Sequence, residues 1–260
     1  IWQADPAFWN RHAPVLFPNV GKYYGGHFTY NGKAYPMGQH GFARDTEFEQ
    51  IAAGEDFVTY RLCADEESKK KYPFDFVLEI THRLENDRLS IEWTVKNVDD
   101  KEMYFTIGGH PAFNVNILPD TDFEDYSLVF KEGIETLSYI LIDAESGTAL
   151  TDKTYKLELT NSKYALKKDM FDKDALIFDN GQIEWVGLAL PNGKPYIALE
   201  SKNFPNFGIW SKPGAPYVCL EPWCGRCDNK GFQGEISEKP GINTLKAGDV
   251  FKKSYDIIVY

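Results

Sequence analysis

A two-residue hydrophobic rhythm constrains this chain more than any other feature. Phe74, Phe76, Leu78 and Ile80 alternate with polar neighbours such as Asp75 and Glu79. After a polar turn at Glu85–Arg88, Leu89, Ile91, Trp93 and Val95 alternate with Ser90, Glu92, Thr94 and Lys96. Successive side chains of a strand point to opposite faces, so the pair reads as a hairpin with one buried face. Nowhere does a 3.6-residue apolar period persist for three turns. Further strands are expected at Phe57–Cys63, Met103–Ile107, Tyr126–Phe130, Tyr155–Thr160, Ile183–Leu190, Tyr196–Ser201, Phe207–Ser211, Tyr217–Leu220 and Val250–Tyr260. Only short helical turns, near Pro6–Asn10 and Asp169–Asp174, interrupt them. Strands without intervening helices predict an all-β fold, a large antiparallel sandwich or barrel. All-β domains commonly reach 260 residues, and no repeat or linker divides the sequence, so one domain is expected over residues 1–260.

A formal charge of −11 argues against nucleic acid or an anionic membrane as partner, since both require a basic face. No apolar run is long enough for a spanning helix. Cys224 and Cys227 form a single C-x-x-C, and no second ligand pair stands at zinc-site spacing. Four cysteines, with Cys63 and Cys219, read as reduced thiols of a cytoplasmic protein. Ile1 is not an initiator Met, which points to an N-terminal piece outside this sequence.

Nucleotide-binding fingerprints and the G-x-S-x-G elbow are absent. Three segments remain. In "FTIGGHPAFN" (105–114), Gly108 and Gly109 clear the backbone for a close approach just before His110, and Pro111 fixes the exit. In "PMGQHGFARD" (36–45), His40 stands four residues before Arg44. In "VCLEPWCG" (218–225), Glu221 ends an apolar strand beside Trp223, a flat face on which a sugar ring can lie. Taken singly, each has an ordinary reading: a capped core histidine, a loop histidine with a surface arginine, a strand-end glutamate, a packed tryptophan. Taken together, His110 and Glu221 form an acid–base pair. Their reference pKa values of about 6.5 and 4.3 let the pair hold one proton near neutrality.

"HGFARD", "GGHPAFN" and "LEPWCG", in that order, resemble the aldose 1-epimerase (galactose mutarotase) family, with "WNRHAPVLFPNVG" (9–21) and "NGKAYPMGQHGFARD" (31–45) fitting its shorter, lactose-operon-associated branch. The similarity runs over nearly the whole chain. It implies a β-sandwich with the sugar in a cleft on one curved sheet, and further strands before residue 1. It implies that Glu221 is the general base at the anomeric hydroxyl and His110 the general acid at the ring oxygen of a free hexose, with no metal or organic cofactor. His40 and Arg44 then bind sugar hydroxyls or stabilise charge. Asp174 best matches the family's aspartate, ahead of Asp179. Longer members carry an arginine where "NVGKYY" (19–24) places Lys22, which leaves the sugar preference open. Alternatives are a hexose 6-phosphate substrate held by Arg11 and Arg44, a non-catalytic carbohydrate-binding protein on the same scaffold, and a glycoside hydrolase pairing Glu221 with Glu200 or Asp174. The expected partner is a monosaccharide, and the expected state a monomer or homodimer.

Overall fold

The computed structural model describes residues 1–260, and two large antiparallel sheets dominate it. The expected hairpin is Phe76–Glu85 with Arg88–Asn97, in register from Phe76 opposite Asn97 to Glu85 opposite Arg88. It lies in a nine-stranded sheet, flanked by Phe57–Cys63 and Val250–Val259. The second sheet has eight strands, with Tyr217–Cys224 at its centre between Ile107–Gly109 and Asn206–Trp210. Phe76, Leu78, Trp93 and Val95 of the first sheet share one core cluster with Phe207, Ile209, Val218 and Leu220 of the second. The eight-stranded sheet also buries apolar residues on its other face. Leu16, Ile177, Trp223 and Cys227 cluster there, and Trp2, Ala112, Tyr217 and Cys219 form a neighbouring group. Both sides of its central strand are therefore covered, which explains a near-continuous apolar run in place of clean alternation. No helix is long and apolar enough to cross a membrane.

Three details differ from the sequence reading. Met103–Ile107 is not one strand but two, Met103–Phe105 and Ile107–Gly109, in different sheets. Thr106 breaks the run by bonding another segment: its N–H donates to the Pro18 carbonyl at 2.9 Å and its Oγ1 accepts the Val20 N–H at 2.7 Å. Second, Tyr217–Cys224 does not stop at Leu220, so Glu221 lies inside a strand and not at its end. Pro222 is tolerated because Leu220 N–H donates toward Pro111, so position 222 also turns its nitrogen toward that neighbour, where pairing lapses between Gly109 and Ala112. Third, one short α-helix occurs, Glu66–Lys71, with a reciprocal cap in which Ser68 N–H donates to Asp65 Oδ1 and Asp65 N–H to Ser68 Oγ. The segments near Pro6–Asn10 and Asp169–Asp174 are short hydrogen-bonded turns, in line with the sequence reading.

Candidate active site

Register brings the two principal residues together. Gly108 lies opposite Trp223 and Ala112 opposite Cys219, so His110 falls opposite Glu221 across the interrupted ladder. His110 Nε2 and Glu221 Oε2 stand 3.3 Å apart. Both residues line a cavity of about 340 Å3, shared with Trp9, Lys22, His40, Arg44, Asp174, Trp210 and Trp223. That volume suits a single small ring, at the lower end of the usual range of about 300–1,000 Å3.

The paired glycines have separate tasks. A Cβ on Gly108 would stand 2.4 Å from the Trp223 ring, and one on Gly208, on the strand across, 2.3 Å from its far edge. The indole lies in a trough between two bare positions. Gly109 faces the other way, where a Cβ would meet the Tyr255 hydroxyl at 2.7 Å. His110 then turns back to the cleft, its main-chain N–H held by the Pro14 carbonyl at 3.1 Å.

Aromatic rings box the His110 imidazole. Trp9 lies 4.7 Å away by ring centroids, with His40 and Trp210 edge-on at 5.6 and 5.9 Å. Burial lowers the His110 pKa to about 3, helped by the positive Arg44 and Arg11. Burial raises the Glu221 carboxyl well above its ordinary range, and Asp174 adds to the rise. Both shifts favour the neutral forms, a protonated carboxyl beside an unprotonated ring. The polar atoms His110 Nδ1, Glu221 Oε2, Trp223 Nε1 and Arg44 Nε are buried without a hydrogen-bond partner in the protein. Each such atom costs about 1–3 kcal/mol, a cost that a polar ligand relieves.

His40 sits at φ 67°. Its Nδ1 accepts the Gly21 N–H at 3.0 Å, so that nitrogen carries no proton. Burial and the neighbouring His110 hold the ring neutral by lowering its pKa well below the usual value. The remaining proton is on Nε2, which makes His40 a fixed donor. Arg44 donates from Nη2 to the Gln39 carbonyl at 2.8 Å, and its pKa is lowered, mainly by burial. The Lys22 stem packs over Gly147, where a Cβ would come within 2.6 Å of it. Asp174, at φ 71°, lines the cavity and accepts the Ala175 N–H at 2.7 Å.

The alternatives separate by geometry. Asp179 is engaged by Arg226 Nε at 3.0 and 3.1 Å and does not line the cavity, so of the two aspartates Asp174 is the one placed at the site. Arg11 forms a two-pronged pair with Asp45 and lies outside the cavity, so it does not join Arg44 there. Glu200 lies in the other sheet, paired with Arg88 and Lys202. The C-x-x-C thiols are both free: Cys224 belongs to the core between the sheets and Cys227 to the cluster on the cleft side. Trp9 and Trp210 were not singled out from the sequence. Nothing in their local spacing marks them, because only the tertiary fold brings them to the imidazole.

The model of the aldose 1-epimerase family matches residues 1–255. The chain is 32% identical to the plasmid-encoded protein LacX of Lactococcus lactis subsp. lactis, over all of this chain and 89% of that one. A galactose mutarotase related enzyme from Lactobacillus acidophilus superposes with a TM-score of 0.93 at 35% identity, covering 100% of this chain and 86% of that one. A galactose mutarotase-like protein from Lactobacillus casei gives 0.89 at 33% identity, covering 100% and 88%. The motifs, the two-sheet architecture and these likenesses converge: the chain belongs to the aldose 1-epimerase family, among its LacX-like, galactose mutarotase-like members.

Proposed function

We propose that the protein interconverts the α and β anomers of a free hexose by acid–base ring opening and closure. One observation carries this reading: an imidazole from the break between Ile107–Gly109 and Ala112–Asn114 and a carboxyl from Tyr217–Cys224 meet at 3.3 Å in one ring-sized cleft. Before sugar binds, burial keeps both groups neutral, with the proton on Glu221. Passing that proton across the contact to His110 Nε2 creates a carboxylate and an imidazolium without a net change of charge. Sugar hydroxyls donating to the carboxylate replace the solvation it lacks.

Glu221 then takes the proton of the anomeric hydroxyl, and His110 delivers its own to the ring oxygen. The C1–O5 bond breaks and C1 becomes an aldehyde. Rotation about C1–C2 presents the opposite carbonyl face. On closure O5 attacks C1, His110 recovers the O5 proton and Glu221 returns one to O1, so protons balance over the cycle. His40 Nε2–H and Arg44 are the donors placed to hold hydroxyls or oxygen charge during opening, and Trp223 is the platform under the ring. Asp174 orients the sugar and keeps the carboxyl basic.

The test is anomer exchange of glucose and galactose, followed by polarimetry or saturation-transfer NMR. Wild type accelerates exchange. His110→Asn and Glu221→Gln each lose about 10²–10⁴-fold while the far-UV spectrum stays that of the folded chain. A wild type that binds sugar but leaves exchange at the spontaneous rate makes this a carbohydrate-binding protein and ends the proposal.

A further inference from the structure

Glu221 has a neighbour that acid–base chemistry does not use. Cys219 stands two residues earlier on the same strand, so its side chain leaves the same face of the sheet. Its thiol is fully buried and free. One ligand atom from each of His110, Cys219 and Glu221 lies within 4.8 Å of the others. His110 and Glu221 are themselves more than nine-tenths buried, and Glu221 Oε2, the oxygen facing His110 Nε2, lacks a hydrogen-bond partner.

We infer that His110, Cys219 and Glu221 form a binding site for a zinc-class divalent cation, and that the cation shuts the cleft to sugar chemistry. The donor set is an imidazole, a thiolate and a carboxylate, the combination that zinc favours. A tetrahedral zinc with bonds of about 2.0–2.3 Å needs ligand atoms about 3.3–3.7 Å apart. The His110–Glu221 edge already measures 3.3 Å. The sulfur lies within 4.8 Å of the other two ligand atoms, so its edges close to that range by a movement of at most about 1.5 Å through rotation of the Cys219 side chain. Binding releases two protons to solvent, one from the thiol and one from the carboxyl. Thiolate and carboxylate then neutralise the dication in a dry environment that would otherwise reject it. His110 and Glu221 line the cavity, so the cation sits at its wall. A cation there occupies the groups that exchange protons with sugar, so the inhibitory part of this inference rests on the proposed function, whereas the binding part does not.

Sequence spacing conceals such a site. Two ligands come from a strand at i and i+2, and the third from a residue more than a hundred positions away.

Cobalt(II) is the probe, added to the purified, reduced full chain. The expected result is a near-ultraviolet thiolate-to-cobalt charge-transfer band that saturates at one cation per chain and is displaced by zinc. Cys219→Ser and His110→Asn each lose the band, whereas Cys63→Ser, at the exposed thiol, keeps it. In parallel, zinc suppresses anomer exchange by wild type and by Cys63→Ser, whereas whatever exchange Cys219→Ser retains is insensitive to zinc. No band at millimolar cobalt, or a band that survives in Cys219→Ser, overturns the site. If wild type shows the band but never accelerates exchange, the cation site stands and the isomerase reading fails.

Discussion

The two faces of strand Tyr217–Cys224 invite comparison, because burial alone does not distinguish them. All eight residues are buried. Val218, Leu220 and Cys224 point into the core between the sheets, and with Pro222 they carry no side-chain nitrogen or oxygen. On the other face Tyr217, Glu221 and Trp223 each hold a buried polar atom with no partner: the Tyr217 hydroxyl, Glu221 Oε2 and Trp223 Nε1. One face has its physical needs met by packing; the other carries buried polar atoms that no protein group satisfies. Folding stability gains nothing from the second arrangement, and a polar ring slid over it gains much. Function is to be sought where buried atoms want partners, not where burial is greatest.

Substitutions on the two faces should therefore fail differently. Leu220→Ala removes core volume and is expected to cost about 2–5 kcal/mol of stability, read by urea denaturation, with kcat per folded molecule close to wild type. A proportionate loss of kcat would erase the distinction between the faces. Gly208→Ala has the smaller thermodynamic effect, about 1–3 kcal/mol, because its new Cβ meets an edge of the Trp223 ring that can tilt. Its main consequence should be a raised KM for sugar as the platform leaves the trough. An unchanged KM would show that Trp223 is packing and not a sugar surface.

The smallest effect expected is that of pH. Burial depresses the His110 pKa to about 3 and raises that of Glu221. The one-proton state of the pair is therefore bounded in acid by a second proton on His110, which leaves no base. In alkali it is bounded by loss of the Glu221 proton, which leaves no acid. kcat/KM should stay level as pH falls from neutrality to about 5 and show no step near the ordinary histidine midpoint of about 6.5. The stability sign follows from the same shift. Unfolded His110 gains a proton below about 6.5, but the folded ring does so only near 3. Its burial thus destabilises the fold progressively as pH falls through that window. An activity step at 6.5 would mean an imidazole exposed to water.

Much of this was legible in the sequence, for physical reasons. Strand alternation exposed the Phe76–Glu85 and Arg88–Asn97 hairpin because one face of each strand is buried. His110, His40 and Glu221 stood out because glycines and proline placed polar groups in apolar surroundings. Resemblance alone ranks Asp174 ahead of Asp179; the physical distinction between them is Arg226, some fifty positions downstream of both. Glu221 was expected at a strand end, since proline usually closes a strand, and only a lapse of pairing in the neighbouring strand lets the chain run on. The helix at Glu66–Lys71 escaped notice because it buries no residue and its cap is its main local signal. Trp9 reaches His110 by tertiary folding alone.

The central claim is that His110 and Glu221 act as one proton-sharing unit. A double-mutant cycle on anomer exchange tests it most directly, with His110→Asn, Glu221→Gln and the combined variant assayed under the same conditions. Groups that work as a unit lose most of the rate at the first substitution, so the double variant should be barely slower than the slower single one. Losses that multiply, each residue contributing independently of the other, would contradict the account.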